Sequence, residues 1–127
     1  MKLLQIVNMI ESLVIMTTLP LSAKDSFYLN NILIKFDDEI NSYNNTKNNL
    51  LIQYGESDNG INYILNNEEN QKLFYKELCE LDNIEIDVTI QKIKVGLSKL
   101  DKLGEIETRH LYNLKDIIEF YDDTIDV

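Results

Sequence analysis

Ile84-Glu85-Ile86-Asp87-Val88-Thr89-Ile90-Gln91 puts an apolar side chain at every second position and a polar one between. That period belongs to a strand with one face on a core and the other in water. The apolar phase slips after Ile90 and resumes at Ile93, Val95 and Leu97, so a bulge or turn is expected near Gln91-Lys92. The strand region is thus 84–97, within a chain whose remaining periodicity is helical.

Upstream, Leu3, Ile6, Val7, Ile10, Leu13 and Val14 share one helical face, and Pro20 ends that helix. Ser22 is placed to cap a second helix, with Asp25 completing a capping box. Leu29, Ile32, Phe36, Ile40, Tyr43, Leu50 and Tyr54 keep helical phase, which predicts one long rod and a helical hairpin over 3–54. Asn41, Asn44, Asn45, Asn48 and Asn49 weaken its middle, where a kink, a fray or support from packing is expected. Gly55 stands where a helix C-cap glycine belongs. A turn at Glu56–Gly60 and a short strand at Ile61–Leu65 fill 55–66.

Asn67 caps a helix over 67–81 with Phe74, Leu78 and Leu81 as its stripe. Leu97–Leu103 is a short helical turn closed by Gly104. A C-terminal helix over 108–121, capped by Thr108, carries Leu111, Leu114, Ile117, Ile118 and Tyr121 on one face. The class is α+β: a long helical hairpin, a small antiparallel β-sheet and two further helices. One proline and four glycines leave no linker, so 1–127 is expected to be a single domain.

Twenty-two acidic residues face twelve basic ones, a formal charge of −10. Nucleic-acid binders place Lys and Arg against phosphates, so direct nucleic-acid binding is not expected. The glycines at 55, 60, 96 and 104 match no phosphate-binding loop. His110 is the single histidine and Cys79 the single cysteine, too few for a recognisable zinc site. Cys79 sits near an apolar stripe and between glutamates, which reads as a buried structural thiol, with His110 facing solvent. Asp58-Asn59-Gly60 resembles part of a calcium loop, but Gly55 and Asn66 occupy its strongest ligand positions, so a plain turn is expected. The acid run Asp37-Asp38-Glu39 reads as a solvated helix face. No catalytic residue, cofactor or metal is expected.

What remains is surface. From Glu77 onward thirteen acids meet six bases, whereas the first 76 residues hold nine and six. Glu85, Asp87, Glu105, Glu107, Asp116, Glu119, Asp122, Asp123 and Asp126 form the candidate protein-binding surface, able to steer a basic partner. Solubility alone accounts equally well for the charge. Met1–Ala23 superficially resembles a secretory signal, but Gln5, Asn8 and Glu11 interrupt it, and a core helix is expected. No stretch approaches the ~20 apolar residues of a membrane span. Without a partner thiol, a reducing cytoplasm suits Cys79. Tyrosines on two sides of the long helix leave a homo-oligomer open.

Read in order, Leu19-Pro20-Leu21-Ser22-Ala23-Lys24, the aromatics Phe27 and Tyr28, and Leu51-Ile52-Gln53-Tyr54-Gly55-Glu56 form a recognisable series. Asp58–Gly60, Phe74–Leu81, Ile84–Ile90 and Leu100–Ile106 continue it. The series resembles a family of small acidic proteins encoded by bacteriophages and prophages of low-GC bacteria. The asparagine-rich middle of the second helix departs from that family's charged Glu/Lys pattern. The resemblance covers nearly the whole chain through short, mostly structural motifs, and carries over no active-site residue. It implies a non-enzymatic phage accessory protein that binds another protein, in virion assembly or as a virion component. The alternative is an inhibitor of a host defence system whose acidic surface blocks a basic nucleic-acid channel. Either role places the protein in the bacterial host cytoplasm or the virion.

Overall fold

The computed structural model describes residues 1–123. Five α-helices, α1 (Leu3–Met16), α2 (Ala23–Lys35), α3 (Asp37–Tyr54), α4 (Glu68–Asp82) and α5 (Thr108–Asn113), accompany two strands, β1 (Ile93–Gly96) and β2 (Ile118–Tyr121). A 3₁₀ helix, Leu97–Leu103, follows β1 directly. The mixed α and β content agrees with the sequence reading; the sheet does not.

α1 begins where Gln5 Oε1 accepts the Lys2 amide at 2.8 Å. Its buried stripe is Leu3, Ile6, Met9, Ser12, Leu13 and Met16. That stripe is rotated from the expected one, because the other elements surround α1 on the methionine side. Val14 is 54% exposed, while Met9 and Met16 are enclosed. Ile6, Met9, Leu13 and Met16 join Leu29, Ile32 and Phe36 from the α2 side, and Ile93, Val95, Leu100, Leu114, Ile117 and Ile118 from the C-terminal half.

The expected long second helix is two helices. Phe36 leaves helical geometry (φ −102°, ψ 6°) and buries its ring in the core. The charge pattern already belongs to two helices: Lys35 lies in the last turn of α2, and Asp37, Asp38 and Glu39 in the first turn of α3. Each charge thereby meets the favourable end of a helix dipole. The asparagine patch stays helical, its members exposed on α3, while Tyr43 anchors the helix by donating to Asp82 Oδ1 of α4 at 2.7 Å. Gly55 is extended (φ −89°, ψ 167°), not left-handed. Its lack of a side chain serves close approach instead, since a Cβ there would lie 2.5 Å from Leu51 O.

Ser22 and Asn67 cap α2 and α4 as the sequence indicates, accepting from Asp25 N and from Glu69 and Asn70 N. The 55–66 segment holds an isolated antiparallel bridge, Glu56 with Ile64, rather than a strand. Asn59 Oδ1 closes the turn by accepting from Ser57 Oγ and from the amides of Ile61 and Asn62.

The strand expected at Ile84–Ile90 is an extended segment outside the sheet. Its alternation survives in burial: Ile86, Val88 and Ile90 are partly buried against the core, and Glu85, Asp87 and Thr89 are exposed. Met1–Leu3 runs antiparallel beside its start, through Leu3 N to Ile84 O at 2.8 Å and Ile86 N to Met1 O at 2.9 Å. Pairing in the sheet begins only after the phase slip, at Ile93. There β1 meets β2 in parallel, Ile93 opposite Ile118 and Gly96 opposite Tyr121, correcting the antiparallel expectation. The expected helix over 108–121 ends at Asn113, and its second half supplies β2. Ile117 and Ile118 satisfy a helical stripe and a strand equally, and pairing with the buried Ile93 and Val95 decides between them. The 3₁₀ helix and α5 form the crossover that any parallel pair requires.

The rotated stripe of α1 has a direct test. Leu13→Ala should cost ~2–5 kcal/mol, whereas Val14→Ala should stay within ~0.5 kcal/mol, both read from urea denaturation. A larger cost at Val14 than at Leu13 would mean that α1 buries the other face.

Candidate functional site

Each member of the acidic surface sits on an element that sets its role. Glu85 and Asp87 project outward from the extended segment, and Glu85 Oε2 lies 3.3 Å from the Met1 amine. Asp116, between α5 and β2, shares a depression of about 340 Å³ with Met1, Gln5, Val88 and Ile90. The fold therefore brings Asp116 beside the segment that carries Glu85 and Asp87. Glu119 points outward from β2, opposite Lys94 in register. Asp122 is exposed just after β2, and Asp126 lies outside the described residues.

Two members, Glu107 and Asp123, are engaged elsewhere. Glu105 and Glu107 belong to the turn before α5, where Arg109 pairs with Glu107 and stands 3.7 Å from Glu11. The chain's one arginine thus offsets the acids at that end. Asp123 accepts from the Ser98 amide at 2.9 Å and from the Ser98 hydroxyl, clamping the end of β2 to the start of the 3₁₀ helix. A Cβ on Gly96 would collide with that carboxylate, which is why glycine ends β1. The Ser98 hydroxyl first, and then the Ser98 amide, hold the Asp123 carboxyl below its ordinary value.

Among the described residues, one constellation resembles catalytic machinery, and it lies inside the protein. Ser12 Oγ and His110 Nδ1 share a hydrogen bond of 2.8 Å, and Asn113 Nδ2 donates to Ser12 Oγ at 3.1 Å. A serine beside an imidazole is the start of a nucleophile–base pair. Ser12 is 0% exposed and His110 7%, so no substrate reaches the hydroxyl. Asn113 contacts the serine rather than orienting the histidine. The cluster is a polar clasp between α1 and α5, satisfying groups that burial would otherwise strand.

This reverses two expectations: His110 is buried, and Cys79 is exposed. Cys79 lies off the Phe74 stripe, its sulfur accepting from Asn83 Nδ2 at 3.4 Å. The sequence did hold a signal for the clasp. Ser12 falls on the apolar side of α1, where a hydroxyl needs a partner, and His110 and Asn113 are one turn apart. No helix among the described residues is long and apolar enough to cross a membrane.

Ser12→Ala should cost ~1–3 kcal/mol in urea denaturation, because it strands His110 Nδ1 and Asn113 Nδ2 together. An unchanged midpoint would remove the clasp. The Asp123 clamp contributes stability above about pH 4, the ordinary carboxyl range, and loses it as pH falls through the lowered native value. Asp123→Asn should therefore unfold earlier than the parent protein at neutral pH, with the gap closing as pH falls through the lowered native value. A gap of constant size across that range would refute the clamp.

No protein-family model, curated protein or solved structure matches the chain.

Proposed function

We propose that this chain is a non-enzymatic bacteriophage accessory protein that works by binding another protein, in virion assembly or as a virion component. The observation that carries the reading is that large apolar side chains stand in water at several places on the protein. Phe27 and Ile34, seven residues apart on the outer face of α2, are 61% and 73% exposed, and Ile61, Ile64 and Tyr75 are exposed as well. Exposed apolar side chains grouped on a helix face are what a protein interface covers. The phage context comes from the family resemblance in the order of segments.

A second reading has its own observation. Glu85, Asp87, Asp116 and Glu119 are all exposed, on the extended segment, on β2 and on the turn before it. Exposed acids of this kind suit a basic partner, as in an inhibitor that occupies the nucleic-acid channel of a host defence complex.

Salt separates the two. Exposed charge pairs screen within ~10 Å at 0.1 M salt, while apolar contacts do not. An affinity pull-down from infected host lysate, eluted with rising salt, should retain phage structural proteins through the high-salt step. Release of a host nuclease complex at moderate salt would instead favour inhibition, and recovery of neither would sink both.

A further inference from the structure

Ala23, Lys24, Phe27, Asn30, Asn31 and Ile34 follow one another along a single face of α2, at the three- and four-residue spacing that makes helical neighbours. All six are exposed, Phe27 at 61% and Ile34 at 73%. None is acidic, in a chain of formal charge −10. The one acid of α2, Asp25, lies on another side of the helix, and its amide donates to Ser22 Oγ at 3.2 Å. Lys35 turns away as well, its ammonium donating to Thr89 O at 3.2 Å.

This face complements itself end for end. Phe27 and Ile34 stand equally far from the Asn30-Asn31 pair, one on either side. Lys24 comes three residues before Phe27, and Asp37 and Asp38 come three and four residues after Ile34, across the break at Phe36. Both aspartates are exposed. Two copies laid antiparallel about a two-fold axis at Asn30-Asn31 therefore set Phe27 of each against Ile34 of the other. The same rotation carries each Lys24 to the Asp37-Asp38 corner of the other copy. Lys24 and Asp38 form no ion pair among the described residues. Asparagine amides both donate and accept, so the pair at the axis can bond across it. A two-fold interface is one patch meeting itself, which demands this kind of self-complementarity.

We propose that the exposed face of α2 binds a second copy of this chain, giving a two-fold dimer with its α2 helices antiparallel. A basic partner finds no acid on the face, and an acidic partner meets Asp37 and Asp38 at its end. A second copy supplies an apolar side chain for each apolar one and an opposite charge for each charge. The net charge of −10 opposes association through the acidic parts of the surface, and this face is free of acids. Thirteen residues make a helix ~20 Å long, so the interface falls below ~1,200 Å² and the dimer is a weak, micromolar one. The inference rests on the protein-binding reading above. It assigns Phe27 and Ile34 to self-association and leaves Ile61, Ile64 and Tyr75 to another protein.

The test is sedimentation velocity of the full chain over a micromolar concentration series. The parent should pass from monomer to dimer. Phe27→Ser with Ile34→Ser should weaken the dimer ~100-fold and melt with the parent when dilute, since both side chains already stand in water. Lys24→Glu should weaken it ~10-fold. Asp37→Lys with Asp38→Lys should weaken it too, although this change makes the chain less negative, and combining all three exchanges should restore it. In a Cys79→Ser background, Asn31→Cys should oxidise to a disulfide-linked dimer, whereas Lys47→Cys on α3 should not. A parent that stays monomeric throughout, or a dimer indifferent to the Phe27 and Ile34 changes, would overturn the proposal. So would tighter association of the Asp37→Lys, Asp38→Lys variant, or equal cross-linking of the two cysteine variants.

The pull-down described above separates this proposal from the broader one. A monomeric parent that still captures a phage or host protein removes the dimer and leaves protein binding standing. A dimeric parent that captures neither removes the second partner and leaves the dimer. A Phe27→Ser, Ile34→Ser variant that is monomeric yet captures the same protein supports the division of the surface.

Discussion

Burial of a single helical stripe organises this protein. Ile6, Met9, Leu13 and Met16 of α1 are enclosed, and α1 touches α2, α3, α4 and α5. Fully burying a side chain of that size is worth ~1.5–3 kcal/mol, so the four together contribute ~6–12 kcal/mol, comparable to the net stability of a small domain. The α2 side and the C-terminal half add their apolar side chains to that stripe, while Tyr43 ties α3 to α4 through Asp82. The stripe also explains the buried clasp. Once α1 is covered on so many sides, the hydroxyl of Ser12 has no route to water. Something must meet it, and His110 and Asn113 do.

Charge sets local boundaries rather than the core. Lys35 followed by three acids divides α2 from α3, with the Phe36 ring turned inward at the junction. The one arginine offsets the acids before α5, and Asp123 is committed to Ser98. The acidic balance of the C-terminal half is therefore uneven in use. Part of it fastens the structure, while Glu85, Asp87, Asp116 and Glu119 face outward.

Much of the architecture was legible in the sequence where the signal is local. The caps Ser22 and Asn67, the turn built on Asn59 and the 3₁₀ helix before Gly104 follow from side chains acting on their own neighbours. The alternation correctly placed the side chains from Glu85 to Ile90 inward or outward, while Ile84 is exposed. It could not name a hydrogen-bonding partner, because period reports faces and not pairing. Ile117 and Ile118 fit two periods at once, and the choice was made by Ile93, distant in sequence. The clasp escaped for the same reason: what meets Ser12 comes from another element. The outward acids of the candidate surface were legible by count, while the ties of Glu107 and Asp123 were not.

The parallel pairing of β1 with β2 bears on the order in which the chain becomes a protein. α1 is made first, yet Ser12 finds its partners about a hundred residues later, and Lys2 bridges to Glu85. Contacts so far apart in sequence slow folding, because the intervening loop must close before any contact rewards it. During synthesis the apolar stripe of α1 has no complete cover until Leu114, Ile117 and Ile118 have left the ribosome. For most of translation it is an exposed hydrophobic segment, the kind that chaperones hold. Among the described helices, the earliest in the chain is the last to be finished.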